Sequence, residues 1–324
     1  MKLQPSVGIA IAAISVCFSV NTQAQEKGYP NRLITIVVPM GAGGTSDVIA
    51  RTIQPMLTKN LGQNIVIENK AGANGVLGEE FMFRQKPDGY MVMMSSASVA
   101  VNPYLTKINY DPAKFVPVGQ LGINYLVMSA NNDVKANNMQ ELLALIRSQP
   151  PGKFNYSSWG VGGVGHLAAE LFNLEAKVKL THIPYKTSPA AITGTIGGET
   201  EVTFQGGTLS LPQIKAGKLK GIAIVGPTRL AEAPEIPTMA EVGLPGVRLD
   251  SWFGMFLPPG TPRAIVDRLH EAIQAALSDP ETLERLKARG VVPKGGTTEE
   301  FAAHFQSELL KYKRIVTEAK ITAD

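Results

Sequence analysis

Short apolar segments alternate with helical segments from residue 33 onward, and this alternation limits the folds open to the chain. The segment "LITIVV" at residues 33–38 is apolar and mostly β-branched, as is typical of a strand buried on both faces of a parallel sheet. Pro39 ends this run, and apolar residues between Ile49 and Leu57 then recur at helical spacing. A second strand, a loop, a helix and a third strand follow through residue 96. We therefore predict a βαβαβ unit, and hence a doubly wound parallel sheet.

The middle of the chain starts the same alternation again, with a strand that ends in "NYSS" at residues 155–158, a glycine-rich turn and a helix. Apolar runs near residues 125 and 222 are candidates for passages between two domains. We predict two α/β lobes joined by two crossing strands. A ligand cleft is expected between them, because open α/β sheets bind ligands outside the carboxyl ends of their strands. The predicted first domain comprises residues 25–124 and 226–324, and the second comprises residues 125–225.

The first 24 residues form a separate segment. Lys2 precedes the apolar run "VGIAIAAISVCFSV", which is short for a bilayer span and leads into "NTQA", with small residues at the spacing of a cleavage site. We predict a signal peptide over residues 1–24 and export to the periplasm; an N-terminal core helix is the alternative. The single cysteine, Cys17, lies in this segment, so the mature chain would have no thiol. Lipidation of Cys17 remains open, although the residue before it, Val16, is bulky.

The composition argues against a nucleic acid as partner. The formal net charge is +4, the basic residues are scattered, and aromatic residues make up 6% of the chain. Such a chain offers neither a phosphate-tracking groove nor a base-stacking surface. About 300 residues remain after the leader, which is enough for two domains with a substantial core.

Two glycine-rich turns, "PMGAGGTSD" at residues 39–47 and "SSWGVGGVGH" at residues 157–166, each link a strand to a helix. Exposed backbone N–H groups, hydroxyls and a helix N-terminus attract an anion. The first turn lacks the lysine of a Walker loop. The second matches G-x-G-x-x-G through Gly160, Gly162 and Gly165, but the next strand ends in "THIPYK" without an acidic residue for a ribose. A carboxylate is therefore favoured over a nucleotide, and turns that serve only tight packing are the alternative.

The remaining polar residues indicate neither a metal site nor a catalytic centre. The four histidines, His166, His182, His270 and His304, show no metal-ligand spacing. No G-x-S-x-G sequence occurs. We predict a binding protein without a metal or cofactor; an exported hydrolase of a small carboxylate ester or amide is the alternative.

Seven segments resemble, in order and spacing, the tripartite tricarboxylate transporter substrate-binding proteins, also called Bug receptors. They are "YPNRLITIVVPMGAGGTSDVIAR", "VIENKAGANGVLGEEF", "KPDGYMVMMSSASVAVNPYL", "HIPYK", "LPQIKAGKLKGIAI", "IPTMAEVGLPG" and "SWFGMFLPPGTP". The resemblance covers essentially the whole mature chain. It implies a periplasmic monomer with the two-lobed periplasmic binding protein fold, type II-like, and no cofactor. Such a receptor captures a small carboxylic acid and delivers it to the membrane permease subunits of a tripartite tricarboxylate transporter.

The resemblance also implies a set of ligand-binding residues on both lobes. Those of the first lobe are Gly41, Ala42, Gly43, Gly44, Thr45 and Ser46, with Ser95, Ser96 and Ala97 at the end of the third strand. Those of the second lobe are Ser157, Ser158, Trp159, Gly162, Gly163 and His166. For Asp47 we expect a capping and loop-organising role, because its carboxylate would repel an acid.

Three places depart from the pattern of the family in ways that bear on ligand choice. After "PYK", Thr187 and Ser188 stand where many relatives have two glycines. Gln205 stands where many relatives have an aspartate. An amide can donate as well as accept a hydrogen bond, so this position has no preference for a ligand ammonium group and can bind a carboxylate, a hydroxyl or an uncharged polar group. Trp159 stands where small polar residues are common. It is a candidate aromatic wall for a ring-bearing acid, and surface packing is the alternative.

The leader yields the first testable prediction. Signal-peptide cleavage after Ala24 gives a periplasmic protein whose N-terminus is at or near Gln25. N-terminal sequencing of protein from the native host checks this; an intact Met1 would refute it, and acylated Cys17 would place the protein on a membrane tether.

Overall fold

The computed structural model describes residues 28–249 and 251–318. The predicted signal peptide and Cys17 lie outside the described residues. In chain order the strands are β1 (Ile34–Val38), β2 (Ile65–Asn69), β3 (Met91–Ser96), β4 (Val116–Asn124), β5 (Leu126–Asn131), β6 (Asn155–Ser158), β7 (Thr181–Pro184), β8 (Val202–Gly206), β9 (Leu219–Val225), β10 (Trp252–Leu257) and β11 (Val291–Pro293). The helices are α1 (Thr45–Leu61), α2 (Val76–Phe83), α3 (Ser98–Leu105), α4 (Met139–Arg147), α5 (Val164–Ala176), α6 (Ser188–Ile196), α7 (Gly207–Lys215), α8 (Arg263–Ser278), α9 (Pro280–Lys287) and α10 (Thr298–Glu318).

The first sheet has the strand order β11-β4-β10-β3-β1-β2. Strand β1 pairs in parallel with both β2 and β3, as the predicted βαβαβ unit requires. The prediction of a wholly parallel sheet is wrong, because β10 lies between β3 and β4 and is antiparallel to both. An apolar run shows that a strand is buried, but it carries no information on the direction of that strand.

The second sheet has the order β7-β6-β8-β5-β9. Strand β6 is parallel to β7 and β8, and β5 runs antiparallel to its neighbours β8 and β9. Both sheets therefore place an antiparallel strand beside three parallel ones. Each sheet with its helices forms one lobe of a two-lobed α/β fold, as predicted.

The chain passes between the sheets in two different ways. Strand β4 of the first sheet leads through Tyr125 directly into β5 of the second. The predicted second crossing strand is corrected, because β9 lies wholly in the second sheet and the return to β10 follows a segment with no named strand among its described residues. The prolines of this segment lack the N–H that a sheet ladder needs; they are Pro227, Pro234, Pro237 and Pro245. The domain boundaries near residues 125 and 225 remain a proposal.

Strand β1 shows why the run "LITIVV" is almost continuously apolar. Ile36 and Val38 pack on one face of the sheet with residues of α1 and α8. Val37 points to the other face, into a cluster that includes Phe305 and Tyr312 of α10. Both faces are covered by helices, so successive side chains are all buried.

Trp252 lies in the core of the first lobe. It is fully buried, and its ring packs edge-on against Phe301 and Phe305 of α10. Its Nε1 donates a hydrogen bond of 2.9 Å to Glu308. Within residues 28–249 and 251–318, no helix has the length and apolar character needed to cross a membrane.

Gly78 holds α2 close to the chain that leaves β1 and β2, and this contact yields the second prediction. A Cβ at Gly78 would lie 2.8 Å from both Lys70 O and Pro39 Cα, and backbone atoms cannot move aside cheaply. We expect Gly78→Ala to lower the free energy of unfolding by about 1–3 kcal/mol, as overpacking does. Urea unfolding measures this change. Gly197→Ala is the control, since the nearest atom to its Cβ would be 3.4 Å away; equal stability of both variants would contradict the proposed contact.

Candidate functional site

A cavity of about 690 Å³ lies between the two lobes. Its lining includes Gly44 and Ser96 from the first lobe and Gly160 and Thr187 from the second. This volume falls in the range of pockets that enclose small organic ligands. The cavity therefore occupies the position that the sequence predicts for a ligand cleft.

Both glycine-rich turns contact the facing lobe beside this cavity. A Cβ added to Gly41 would lie 2.5 Å from Cγ2 of Thr187, so the first glycine-rich turn contacts the start of α6. A Cβ added to Gly162 would collide with Leu105, so the second turn contacts the end of α3. Glycine at these positions thus permits the close approach of the two lobes.

Four helices begin at the wall of the cavity. Their N-cap residues all line it; they are Gly44 of α1, Gly75 of α2, Thr187 of α6 and Gly206 of α7. The three glycines provide no side-chain cap to α1, α2 and α7. The first N–H of α2, at Val76, bonds to Ala73 O, and that of α7, at Gly207, bonds to Tyr125 O at 3.0 Å. In α6, Thr187 Oγ1 accepts from Ala190 N at 3.3 Å. The N-terminus of a helix carries partial positive charge. This convergence favours a bound anion.

The first turn supplies the wall around the start of α1. Four of its predicted ligand residues line the cavity: Gly41, Gly44, Thr45 and Ser46. Ala42 and Gly43 are exposed and are not part of the lining. Helix α1 begins after Gly44, so neither Thr45 nor Ser46 caps it.

Asp47 organises this turn, as expected, but the expected capping role is wrong, because the N-cap of α1 is Gly44 and has no side-chain cap. Asp47 Oδ2 accepts a hydrogen bond of 2.9 Å from the Gly43 N–H, and Arg51 forms an ion pair with Asp47 at 2.9 Å. Burial by itself would raise the pKa of Asp47, but the hydrogen bonds from Arg51 and Gly43 outweigh burial and hold the pKa below its ordinary value. The carboxylate is therefore ionised and engaged within the loop.

At the end of β3, Ser96 lines the cavity while Ser95 and Ala97 do not. Ser96 Oγ lies 2.9 Å from Ser98 Oγ. Ser95 points into the first lobe, where its hydroxyl is 3.5 Å from Glu79 Oε1. Alternation of side chains along a strand explains why neighbouring serines face different environments.

In the second turn, Trp159 lines the cavity together with Gly160 and Val161. The other predicted residues of this turn lie behind it; they are Ser157, Ser158, Gly162, Gly163 and His166. Ser157 Oγ donates to Ala191 O at 3.1 Å, inside the second lobe. His166 Nδ1 accepts a hydrogen bond of 3.0 Å from Gly162 N, so this N–H is already satisfied.

The indole of Trp159 rests on the start of α5. A Cβ at Gly163 would lie 2.8 Å from its Nε1, and a Cβ at Gly165 would lie 2.6 Å from its Cζ3. The two glycines thus make room for the ring. The helix start that the sequence offers as an anion site is therefore covered by an aromatic side chain.

Two histidines and a tyrosine form a ring stack beneath the second turn. The His166 and His182 rings are 4.3 Å apart, and Tyr156 stacks on His182 at 4.8 Å. Burial, and next the neighbouring His166, lowers the pKa of His182 to about 4. Burial also lowers the pKa of His166, against the opposite effect of Glu170. Both rings are consequently neutral near pH 7.

Ser158 and His182 approach each other as a nucleophile and a base would, with 2.6 Å between Oγ and Nε2. Ser158 is nevertheless fully buried and is not part of the cavity lining. Its hydroxyl also accepts from Gly160 N at 3.2 Å, so it holds the turn in place. This geometry gives no support to the alternative of a hydrolase.

Gln205 is fully buried near the end of β8, next to Gly206 of the lining. Its Oε1 and Nε2 have no hydrogen-bond partner among the described residues. Such a group is rare in a folded protein because it loses its hydration without compensation.

Several residues of the lining were not predicted as ligand residues. They are Met40, Ala71, Gly72, Ala73, Asn74, Gly75, Asn102, Leu105, Thr106, Leu126, Gly160, Val161, Tyr185, Lys186, Thr187, Ser188, Gly206, Ser251 and Phe253. Two signals in the sequence point to some of them. The segment "KAGANG" is a third glycine-rich turn after a strand, and Thr187 before Ser188-Pro189 is a typical helix start.

The cavity wall is nearly free of charge. Among its described residues, Lys186 is the only charged one, and it is exposed. In the part of the chain that the structure describes, no group of three or more histidines, cysteines and acidic residues could hold a metal ion. An anion in the cavity would therefore rely on backbone N–H groups and hydroxyls.

A buried carboxylate supports the wall from behind. Asn102 lines the cavity, and its Nδ2 donates to Glu79 Oε2 at 3.0 Å and to Asn74 O at 3.1 Å. Tyr110 also donates to Glu79. Burial raises the pKa of Glu79 to about 7, although hydrogen bonds from Tyr110, Asn102 and Ser95 act against the rise.

Comparison with known proteins identifies the family. The profile of the tripartite tricarboxylate transporter family receptor matches residues 49–321. The chain belongs to this family. Its members are periplasmic solute-binding receptors rather than enzymes.

Three solved structures are similar to this receptor over its whole fold. The periplasmic binding protein BugD is 31% identical, with a TM-score of 0.86 over 90% of this chain and 99% of its own. Rpa4515 from R. palustris, with adipate, is 29% identical, with a TM-score of 0.87 over 90% and 99% of the two chains. MatC from Rhodopseudomonas palustris, with bound malate, is 29% identical, with a TM-score of 0.82 over 89% and 100%.

Glu79 of this receptor gives the third prediction. Its folded pKa of about 7 exceeds the ordinary value of 4.5, so the folded state holds the proton more tightly than the unfolded state. The resulting stability is fully present below pH 4.5 and is lost as the pH rises through 7. Relative to Glu79→Gln, the parent should therefore lose about 3 kcal/mol of unfolding free energy between pH 4.5 and pH 8.

Urea unfolding of both proteins across this range measures the difference. The neighbouring Glu80→Gln is the control, and its stability should follow that of the parent at each pH. A difference between the parent and Glu79→Gln that stays constant with pH would show that folding does not shift the pKa of Glu79.

Proposed function

We propose that this receptor binds a small carboxylic acid in the cavity between its lobes and passes it to the permease of a tripartite tricarboxylate transporter. The observation that carries the proposal is the convergence of four helix starts on a cavity whose described lining has no acidic residue. The protein acts as a monomer in the periplasm, after removal of residues 1–24.

Hydrogen-bond donors supply a large part of the free energy needed to hold an acid without an arginine clamp. Each hydrogen bond to a charged group contributes roughly 1.5–3 kcal/mol. Micromolar binding needs about 8 kcal/mol net of the entropic costs of association. Four donors on one carboxylate contribute roughly 6–12 kcal/mol before those costs, so burial of the carbon skeleton of the acid must supply the remainder.

The related structures support a carboxylate rather than a nucleotide. Adipate and malate, named with Rpa4515 and MatC, are both small acids, and each of these proteins matches about nine-tenths of this chain. A receptor with the same fold and a donor-rich cavity whose described lining has no acidic residue suits the same class of ligand.

We assign the direct contacts to the residues that line the cavity at helix starts and strand ends. They are Gly41, Gly44, Thr45, Ser46 and Ser96 of the first lobe, with Thr187, Ser188 and Gly206 of the second. Ser157, Ser158, Gly162, Gly163 and His166 support the second turn from behind. Gln205 stays a candidate for a ligand-linked contact, because its buried amide has no partner among the described residues.

Closure of the lobes completes the site. The first lobe supplies the starts of α1 and α2, and the second supplies those of α6 and α7, so neither lobe alone surrounds the acid. Delivery to the permease therefore requires reopening, since the closed form encloses the ligand.

Substitution at the contact between Gly41 and Thr187 yields the fourth prediction. The valine of Gly41→Val would collide with Thr187 and hold the lobes apart, so we expect at least tenfold weaker binding. Isothermal titration calorimetry with a panel that includes malate and adipate measures this. Ala42→Val, in the same turn but exposed and outside the lining, is the matched control and should bind within about threefold of the parent.

Small-angle scattering provides the second readout. Saturating acid should reduce the radius of gyration of the parent and of Ala42→Val, but not that of Gly41→Val. If no acid in the panel binds the folded parent, the proposed function is wrong. If Gly41→Val binds an acid as tightly as the parent does, binding does not require the lobes to close at Gly41 and Thr187.

A further inference from the structure

The cavity has a large apolar part that a small, fully polar acid would leave unused. Six of its lining residues are apolar with long or aromatic side chains: Met40, Leu105, Leu126, Trp159, Val161 and Phe253. They come from both lobes. Binding sites place apolar walls where the hydrocarbon part of a ligand lies.

Two of these residues lie directly beside polar groups at strand ends. Phe253 of β10 pairs with Ser96 of β3, and Leu126 of β5 pairs with Gly206 of β8. Both apolar side chains are almost completely buried. A carboxylate held near Ser96 and Gly206 would therefore have its carbon skeleton on an apolar floor.

Trp159 and Leu105 extend this surface from opposite lobes. Both are partly buried and pack against the main hydrophobic core. Leu105 contacts the second turn at Gly162, two positions after Gly160 of the cavity wall. Closure thus brings an aliphatic and an aromatic side chain to the same cavity.

The position of the Trp159 ring is fixed by its support. Gly163 and Gly165 leave room for the indole on the first turn of α5, and any larger side chain at either position would strike the ring. The ring covers a helix start that would otherwise attract an anion. The second turn therefore presents an apolar surface to the ligand, whereas the first presents donors.

A second carboxylate finds little compensation in this part of the cavity. Placing a charge against Trp159, Leu105 or Phe253 would remove its hydration without a hydrogen-bond partner. Lys186 is the one charged residue of the described lining, but it is exposed, so its attraction is screened by solvent. A volume of about 690 Å³ also exceeds what a short diacid fills.

We propose that the preferred ligand is a monocarboxylic acid with a ring-bearing apolar body, and that Trp159 is the residue that determines this preference. The inference rests on the proposed function, because it assumes a carboxylate at the helix starts. Aromatic side chains favour ring-bearing partners beyond their simple apolar area.

The fifth prediction is tested by calorimetry with benzoate, phenylacetate, 3-phenylpropionate, cyclohexanecarboxylate, malate and adipate. The tightest ring-bearing monoacid should bind the parent at least tenfold more tightly than malate or adipate. Trp159→Leu keeps apolar bulk without an aromatic ring and should weaken that acid about tenfold. Trp159→Phe keeps a ring and should bind that acid within about threefold of the parent.

Fluorescence gives a readout that does not depend on affinity. The protein has two tryptophans, and Trp252 is fully buried in the first lobe and does not line the cavity. A ring-bearing acid should change the emission of the parent, and Trp159→Phe should abolish that change while circular dichroism stays that of the folded protein.

The outcomes separate this inference from the proposed function. Tighter binding of malate or adipate than of every ring-bearing acid would overturn the inference and leave the carboxylate receptor intact. Unchanged affinity for the ring-bearing acid in Trp159→Leu would do the same. Binding of no acid at all would overturn both.

Discussion

A backbone N–H at the start of a helix has no partner within the helix, and four helices of this receptor begin at one cavity. Three of these starts have glycine at the N-cap and no capping side chain. These starts thus lack the side-chain acceptor that serine, threonine or aspartate gives many helices, although the first N–H of α2 bonds to Ala73 O and that of α7 bonds to Tyr125 O. The proposed capture of an acid depends on this lack of side-chain acceptors. It lets the cavity attract an anion although Lys186, which is exposed, is the only charged residue of its described lining.

The two glycine-rich turns are similar in sequence but differ in how they meet the cavity. In the first, Asp47 and Arg51 fix the loop from one side and leave the start of α1 facing the cavity. In the second, His166 accepts from Gly162 N, Ser158 accepts from Gly160 N, and the indole of Trp159 covers the start of α5. One turn is open to an anion, and the other is satisfied from within and presents an aromatic ring.

The cavity lies where strand ends of the two sheets face each other, and the two sheets have similar topology. In each sheet an antiparallel strand, β10 or β5, lies beside three parallel strands. One passage between them is direct, from β4 through Tyr125 to β5, where Asn124 Nδ2 donates to Gly290 O at 2.8 Å. Gly41 and Gly162 each contact the facing lobe. A larger side chain at either position would therefore push the lobes apart, and it would weaken ligand binding through that displacement.

The sequence by itself determined the local elements. The buried strand at residues 33–38, the glycine-rich turn after it and the two-lobed α/β class all follow from residue pattern, as does the family through its seven motifs. Long-range pairing decided the rest. No local pattern reveals that β10 inserts antiparallel into the first sheet, or that Ser157 faces α6 while Trp159 reaches the cavity, because direction and facing depend on partners far along the chain. The local sequence predicts where each helix begins. Only the tertiary structure brings the starts of α6 and α7 to the same cavity as those of α1 and α2, because the two pairs belong to different lobes.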